Sequence, residues 1–175
     1  LNNKSSNTIN VMIQRLTAIA FFIFISFCIY AQKVSIIPAP VSVQTDKGNF
    51  TINKKTVIAA GDEEDLKAEN FLNEYLGNIY GFKLSVSKNQ PVNSIQLITR
   101  KFIKAPSTDG YTLKVTASGV KIEGDTYNGT FYGIQSLIQL LPLQRQSSLV
   151  IPAVAIVDSP RFKYRGMHLD VGRHF

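Results

Sequence analysis

The sequence has little of what builds covalent or metal-held frameworks. Among its 175 residues there is one cysteine, Cys28, there are two histidines, His168 and His174, and there is no tryptophan. A single cysteine excludes a disulfide scaffold and a cysteine-ligated zinc site. Two histidines without a third ligand make a poor metal centre, so we predict a protein that needs neither a metal nor another cofactor.

Runs of basic charge are missing as well. The chain carries 19 Lys and Arg against 12 Asp and Glu, a formal net charge of +7. Its lysines, for example Lys114 and Lys121, alternate with apolar residues, which is typical of a solvated surface. We therefore predict no nucleic-acid partner. Hydrophobic residues make up 45% of the chain, which is too many for a disordered chain and indicates a globular domain.

One long hydrophobic run is present, near the N-terminus. Residues 16–30 contain no charge, Arg15 precedes them and the small residue Ala31 follows. A basic start, an apolar stretch of this length and a small residue at its exit are the features of a secretory signal peptide. We predict cleavage between Ala31 and Gln32. Met12 lies where such a peptide would begin, so residues 1–31 are interpreted as an over-extended start plus a signal peptide.

Two other interpretations of this run are open. A transmembrane anchor would need about 20 apolar residues, more than the run provides. A lipoprotein signal would acylate Cys28, but Phe27 is bulky where that signal needs a small residue. The signal-peptide interpretation predicts an exported protein, periplasmic or extracellular, that meets the membrane only through the transient signal peptide.

Two helices are predicted in residues 32–157. The first covers 62–81, because Asp62 can cap its start and Gly81 its end. The second covers 128–141 and stops at Pro142. Apolar residues recur at three- and four-residue spacing in both, and in the first helix this face consists of Ala68, Phe71, Leu72, Tyr75, Leu76 and Ile79.

Short strands are predicted around these helices. They cover 56–59, 83–87, 94–99, 110–116 and 120–123, and residues 42–52 are predicted to form a hairpin that turns at 46–49. Apolar and polar residues alternate in 110–116 and 120–123, which is typical of an antiparallel sheet with one wet face. Gly129 and Gly133 each cost the second helix about 1 kcal/mol, which predicts a close approach to the sheet. The fold class is therefore α+β, a mainly antiparallel sheet with two helices packed on one face.

Three segments resemble one family. Residues 165–175 read RGMHLDVGRHF, a segment similar to the first barrel strand of the β-N-acetylhexosaminidases of glycoside hydrolase family 20. Residues 109–141 and the lead-in IIPAP at 36–40 resemble the non-catalytic N-terminal α+β domain of that family. The resemblance extends from Val34 to Phe175. It implies that 32–157 form the non-catalytic domain and that 158–175 form a linker and the start of a truncated (β/α)8 barrel.

The resemblance also implies a reaction. Members of the family remove a terminal non-reducing N-acetylhexosamine with retention of configuration, so the expected partners are glycans that contain this sugar. The 2-acetamido oxygen of the substrate is the nucleophile, a Glu protonates the leaving oxygen, and an adjacent Asp orients the acetamido group. Holding a weak amide nucleophile under the anomeric carbon is the main physical requirement.

One binding residue of the family matches a position here. The Arg of the family's Arg-His-aromatic motif falls on Arg173, and the resemblance implies that it donates hydrogen bonds to the sugar hydroxyls at C3 and C4. A guanidinium suits two vicinal oxygens because its donors form a fixed fork. The alternative is a structural ion pair between Arg173 and Asp170. We interpret Arg165 and His174 as packing or orienting residues.

The chain departs from the family pattern in what it lacks. A barrel needs roughly 250 residues, and eleven follow Tyr164. The catalytic Asp-Glu pair belongs to a later strand, for which neither Asp62-Glu63 nor Asp158 is a substitute, and the tryptophans of the sugar pocket are missing. We therefore expect the N-terminal part of an exported β-N-acetylhexosaminidase, with no catalytic residue of its own, that is inactive alone.

Two other classes stay open. The first is a stand-alone accessory module associated with carbohydrates. The second is another glycosidase with a similar accessory domain, such as an α-glucuronidase. An in-frame continuation that encodes an Asp-Glu pair would favour the hexosaminidase, whereas a stop codon after Phe175 would favour the module.

Overall fold

The structure is a computed structural model that describes residues 34–89, 91–100, 108–168 and 172. These residues belong to the compact unit that begins at Val34. The predictions for the signal peptide at 1–31, and those for Arg173, Asp170 and His174, fall outside the described residues. In the part that is described, neither helix has the length and apolarity needed to cross a lipid bilayer.

Seven strands form one mixed sheet in the described residues. They are β1 (Ser42–Ile52), β2 (Val57–Ala60), β3 (Ser85–Ser87), β4 (Ser94–Thr99), β5 (Tyr111–Thr116), β6 (Gly119–Gly124) and β7 (Leu149–Asp158). Their order across the sheet is β1-β7-β5-β6-β4-β2-β3. Two helices complete the fold, α1 (Glu63–Tyr80) after β2 and α2 (Tyr127–Leu140) after β6.

The prediction of a mainly antiparallel sheet is wrong. The three pairings from β1 to β6 are antiparallel, but the three pairings from β6 to β3 are parallel. Parallel neighbours need a crossover, which α1 provides between β2 and β3. Strand β5 does not lie beside β4, which precedes it in the chain, but on the far side of β6. The strands β4 and β6 are therefore neighbours, and they run parallel. Alternation within a strand reports which face is buried, not which strand lies next to it.

The predicted hairpin at 42–52 is also wrong. These residues form the single strand β1, which pairs with β7 along its length. The residues expected to turn produce a register shift between Thr45 and Asn49, and Gly48 there has a φ of 104°. Asn49 lies opposite Pro152, which cannot donate to the ladder and is accommodated at such irregularities. Pairing with the apolar strand β7 therefore prevails over the local turn signal.

The first helix confirms its predicted boundaries. The carboxylate of Asp62 accepts a hydrogen bond from the Asp65 amide at 2.8 Å, and Gly81 ends the helix with a left-handed φ of 78°. The predicted apolar face is nearly right, since Ala68, Leu72 and Leu76 are buried. The structure differs at its C-terminal end, where Ile79 is 43% exposed and Tyr80 takes the inward position.

The second helix lies close to the sheet, as its glycines predict. A Cβ atom on Gly129 would collide with the carbonyl oxygen of Gly110, and one on Gly133 would collide with Ile122 and Tyr111. Both helices cover the same face, because the Thr99 hydroxyl in β4 bonds Asp65 of α1 and Thr130 of α2. The core between helices and sheet includes fully buried side chains from every layer, such as Leu72, Ile95, Leu113, Ile122, Ile134 and Leu137.

The chain leaves the sheet after Asp158. Residues 161–168 have no regular secondary structure and are exposed. Three large apolar side chains in this segment, Phe162, Tyr164 and Met167, are 65%, 89% and 86% exposed. The barrel strand expected around 167–171 is not seen at its described positions, and residues 169–171 lie outside the described part.

Candidate functional site

A cavity of about 290 Å³ lies where the chain enters and leaves the domain. Its wall comes from the lead-in residues 36–38, Tyr111 of β5, α2 between Tyr132 and Gln139, and the exit residues 158–160 with Arg165. Elements that are far apart in sequence meet here because α2 packs against β5, and β7 ends next to β5. We call this the exit cavity.

A buried phenol forms the floor of the exit cavity. The Tyr111 hydroxyl shares a 2.5 Å hydrogen bond with Ser136 and donates to Asp158 at 3.5 Å. The other oxygen of Asp158 accepts from the Val41 amide at 3.2 Å. Burial, with the neighbouring carboxylate of Asp158, raises the pKa of Tyr111 to about 12. The phenol is therefore neutral at physiological pH and acts as a structural link between β5, α2 and β7.

The rim of the cavity binds both ends of the domain. The side-chain amide of Gln139 accepts from the Ile37 amide at 2.8 Å and donates to the Ile37 carbonyl at 3.1 Å. On the opposite side, Arg165 Nη2 donates to the Tyr132 hydroxyl at 2.9 Å, and its Cζ lies 5.2 Å from the centre of the Tyr132 ring. Arg165, which the sequence analysis interprets as a packing or orienting residue, thus contacts Tyr132 of α2.

A second polar cluster lies at the carboxyl ends of the parallel strands. The carboxylate of Asp65 accepts from Thr99 at 2.8 Å, and Thr99 shares a 2.8 Å bond with Thr130. Burial raises the pKa of Asp65 despite the hydrogen bond from Thr99. A small cavity of about 160 Å³ adjoins it, lined partly by Arg100 and Lys88. The hydrogen bonds of this cluster join both helices to β4, so we interpret the cluster as structural.

The acidic pair Asp62-Glu63 has a structural task, as expected. Asp62 caps α1 and Glu63 forms an ion pair with Lys67 at 3.2 Å. Among the residues that the structure describes, no group of three or more His, Cys, Asp or Glu side chains is arranged to hold a metal ion. Among the described residues, the exit cavity combines a concave surface with hydrogen-bonding groups.

The sheet face away from the helices carries a third, shallow cavity of about 320 Å³. Lys114 and Lys121 lie opposite each other on β5 and β6 and line it. Lys121 forms an ion pair with Glu123 at 2.9 Å. Two half-solvated lysines on an open sheet face fit the solvated basic surface that the sequence predicts.

Sequence reasoning did not find the exit cavity. The alternation in 110–116 predicts only that Tyr111 points inward, and Asp158 is predicted only to begin the linker at 158–175. The sequence does carry one sign of the exit cavity. Polar groups recur at helical spacing beside the apolar face of α2, on Tyr132, Gln135, Ser136 and Gln139. The sequence-predicted ligand Arg173 lies outside the described residues.

A mixed seven-stranded sheet covered on one face by two helices defines an α+β domain. Residues 33–159 match the family model for glycosyl hydrolase family 20, domain 2. The chain therefore belongs to glycosyl hydrolase family 20.

Similar proteins agree with this assignment. A β-hexosaminidase of Porphyromonas gingivalis is 32% identical over 83% of this chain, and one of Vibrio vulnificus is 35% identical over 83%. The crystal structure of a family 20 exo-β-N-acetylglucosaminidase from Vibrio harveyi with N-acetylglucosamine matches 80% of the chain at 30% identity and a TM-score of 0.70. The chain spans only 20%, 16% and 21% of these three proteins.

Proposed function

We propose that this chain is the N-terminal part of an exported β-N-acetylhexosaminidase. The observation that carries the proposal is the match of residues 33–159 to domain 2 of the family, together with relatives that are named β-hexosaminidases. The substrates are glycans that end in N-acetylhexosamine. The two adjoining parts are the signal peptide at 1–31 and the barrel start at 158–175.

The reaction proposed for the whole protein is substrate-assisted. The acetamido oxygen attacks the anomeric carbon, a Glu protonates the leaving oxygen and is then free to activate water, and an Asp orients the acetamido group. These two acids would come from a later strand of the barrel. Arg173 binds the sugar hydroxyls at C3 and C4 with its guanidinium fork, and the chain alone is inactive.

The exposed segment 161–168 supports a further domain. Its side chains Phe162, Tyr164 and Met167 are mostly exposed, whereas the sheet and helices behind them have a closed core. Apolar side chains in such a row normally lie against another surface. A barrel that continues the chain would provide that surface.

The gene sequence beyond Phe175 tests this proposal. We expect an open frame that continues for a barrel and encodes an adjacent Asp-Glu pair. A stop codon directly after Phe175 would overturn the proposal and favour the stand-alone module. N-terminal sequencing of the exported protein checks the leader separately, since we expect a mature start at Gln32, and a start before residue 16 would contradict it.

A further inference from the structure

One face of α2 carries four residues with polar groups, of which Ser136 is buried and Tyr132 packs against the core. Tyr132, Gln135, Ser136 and Gln139 follow one another at spacings that place them side by side on a helix. We call them the α2 stripe. Three of its members bind other parts of the chain, namely Arg165, Tyr111 and Ile37. The stripe is therefore a place where the two ends of the domain are held.

The two ends are held about two helical turns apart. Gln139 makes a pair of hydrogen bonds with the backbone of Ile37, which fixes the lead-in segment. Tyr132 binds Arg165 and so fixes the exit segment. Between them, Ser136 bonds the hydroxyl of Tyr111, which in turn donates to Asp158, the last residue of β7. The direction in which the chain leaves the domain is thus set at two consecutive points, Asp158 and Arg165.

The contact between Arg165 and Tyr132 is specific to these side chains. The guanidinium uses one nitrogen to donate to the phenol oxygen while its carbon lies 5.2 Å from the ring centre. A lysine could supply the charge but not the planar fork. Phenylalanine could supply the ring but not the oxygen. The neighbouring Arg161 is exposed in the same segment and offers a matched comparison.

We propose that Arg165 and Tyr132 are positioning residues for the sugar-binding Arg173, an inference that rests on the proposed function. Arg173 follows Arg165 by eight residues, so an extended chain allows it about 29 Å at most from this anchor. Fixing Arg165 on α2 reduces the positions that the residues after it can take. Small displacements of a ligand-binding group are costly to catalysis, so the anchor contributes to sugar binding without touching the sugar.

The anchor is tested first on the 175-residue chain. Endoproteinase Lys-C cleaves after Lys163, inside the anchored segment. We expect Arg165→Gln and Tyr132→Leu each to accelerate this cleavage about three- to tenfold, because a cation–π contact and a hydrogen bond are lost. Arg161→Gln should leave the rate unchanged. Equal cleavage rates in all four proteins would overturn the anchor.

The positioning role is tested in the protein extended through its reading frame. There we expect Arg165→Gln to lower kcat/KM about three- to tenfold, with Arg165→Lys and Tyr132→Phe intermediate and the melting temperature unchanged. Unchanged kcat/KM in all variants would overturn the positioning role. If the extended protein hydrolyses no N-acetylhexosaminide while Lys-C still reports the anchor, the proposed function and with it the positioning role fail, and the anchor stands as a structural joint.

Discussion

At the scale of single residues, the hydroxyl of Tyr111 joins three elements of the fold, namely β5, α2 and β7. The ring packs in the core beneath Gly133 of α2, and its oxygen reaches Ser136 and Asp158. Its partners lie 25 and 47 residues further along the chain. The residue thus links the middle of the sheet to its exit.

Removing this hydroxyl should destabilise the domain. In Tyr111→Phe, Ser136 and Asp158 each lose a partner, and we expect the free energy of unfolding to fall by about 1–2 kcal/mol. Urea unfolding at pH 7.5 measures it. Tyr164→Phe serves as the control, because the Tyr164 side chain is 89% exposed; an equal loss in both variants would contradict the assigned bonds.

The same residue predicts a pH dependence. Burial raises the pKa of Tyr111 from 10.0 to about 12, so its stabilising contribution is complete below pH 10 and is lost as the pH rises from 10 through 12. The stability difference between the wild type and Tyr111→Phe should therefore shrink over that window. A constant difference between pH 8 and pH 11.5 would show that the phenol is not buried as described.

The sequence could indicate that Tyr111 points inward but not what its hydroxyl binds. Alternation along β5 places Tyr111, Leu113 and Val115 on one face, which the structure confirms. The choice of Ser136 and Asp158 as partners depends on how α2 and β7 pack on β5. That packing is a property of the whole sheet, so no local pattern carries it.

At the scale of elements, local sequence signals predict a boundary correctly where the interactions that set it lie within a few residues. The boundaries of α1 follow from a capping carboxylate and a left-handed glycine, and both act within a single turn. The turn signal at residues 46–49 fails because pairing with β7 over the length of β1 outweighs it. The parallel half of the sheet was missed for a related reason, since strand order depends on crossovers between distant segments.

We expect a glycine-to-alanine substitution to have different effects on stability in the two helices. In Gly133→Ala the new methyl group meets the side chain of Ile122 and lies 3.2 Å from the ring of Tyr111. We expect a net loss of about 1–3 kcal/mol from overpacking, despite the better helix propensity.

Gly77→Ala in α1 is the matched control. Its methyl group would meet only the flexible Lys83 side chain, at 3.2 Å, so we expect a change between neutral and about 1 kcal/mol of stabilisation. Thermal unfolding of both variants makes the comparison. Equal effects in the two helices would contradict the close approach of α2 to the sheet.

At the scale of the whole molecule, we propose that structural residues and sugar-binding residues lie in different parts of the chain. The described residues between 34 and 160 form a sheet and two helices whose polar networks serve the architecture. The residues that meet the sugar are proposed to begin only with Arg173. This division explains why the described part lacks a set of catalytic side chains and still belongs to a hydrolase family.

Arg173 carries the binding prediction. In the protein extended through its reading frame, Arg173→Ala should lower kcat/KM roughly 10- to 100-fold, since charged hydrogen bonds to the sugar are lost. Arg161→Ala in the exposed exit segment is the control and should retain full activity. Identical kinetics of the two variants would remove Arg173 from the sugar site.

The release of p-nitrophenol from p-nitrophenyl N-acetyl-β-glucosaminide tests whether hydrolysis needs the residues that follow Phe175. The 175-residue chain and the protein extended through its reading frame are assayed side by side at equal concentration. We expect steady turnover by the extended protein and none by the 175-residue chain. Turnover by the short chain, or an extended protein that folds and releases nothing, would contradict it.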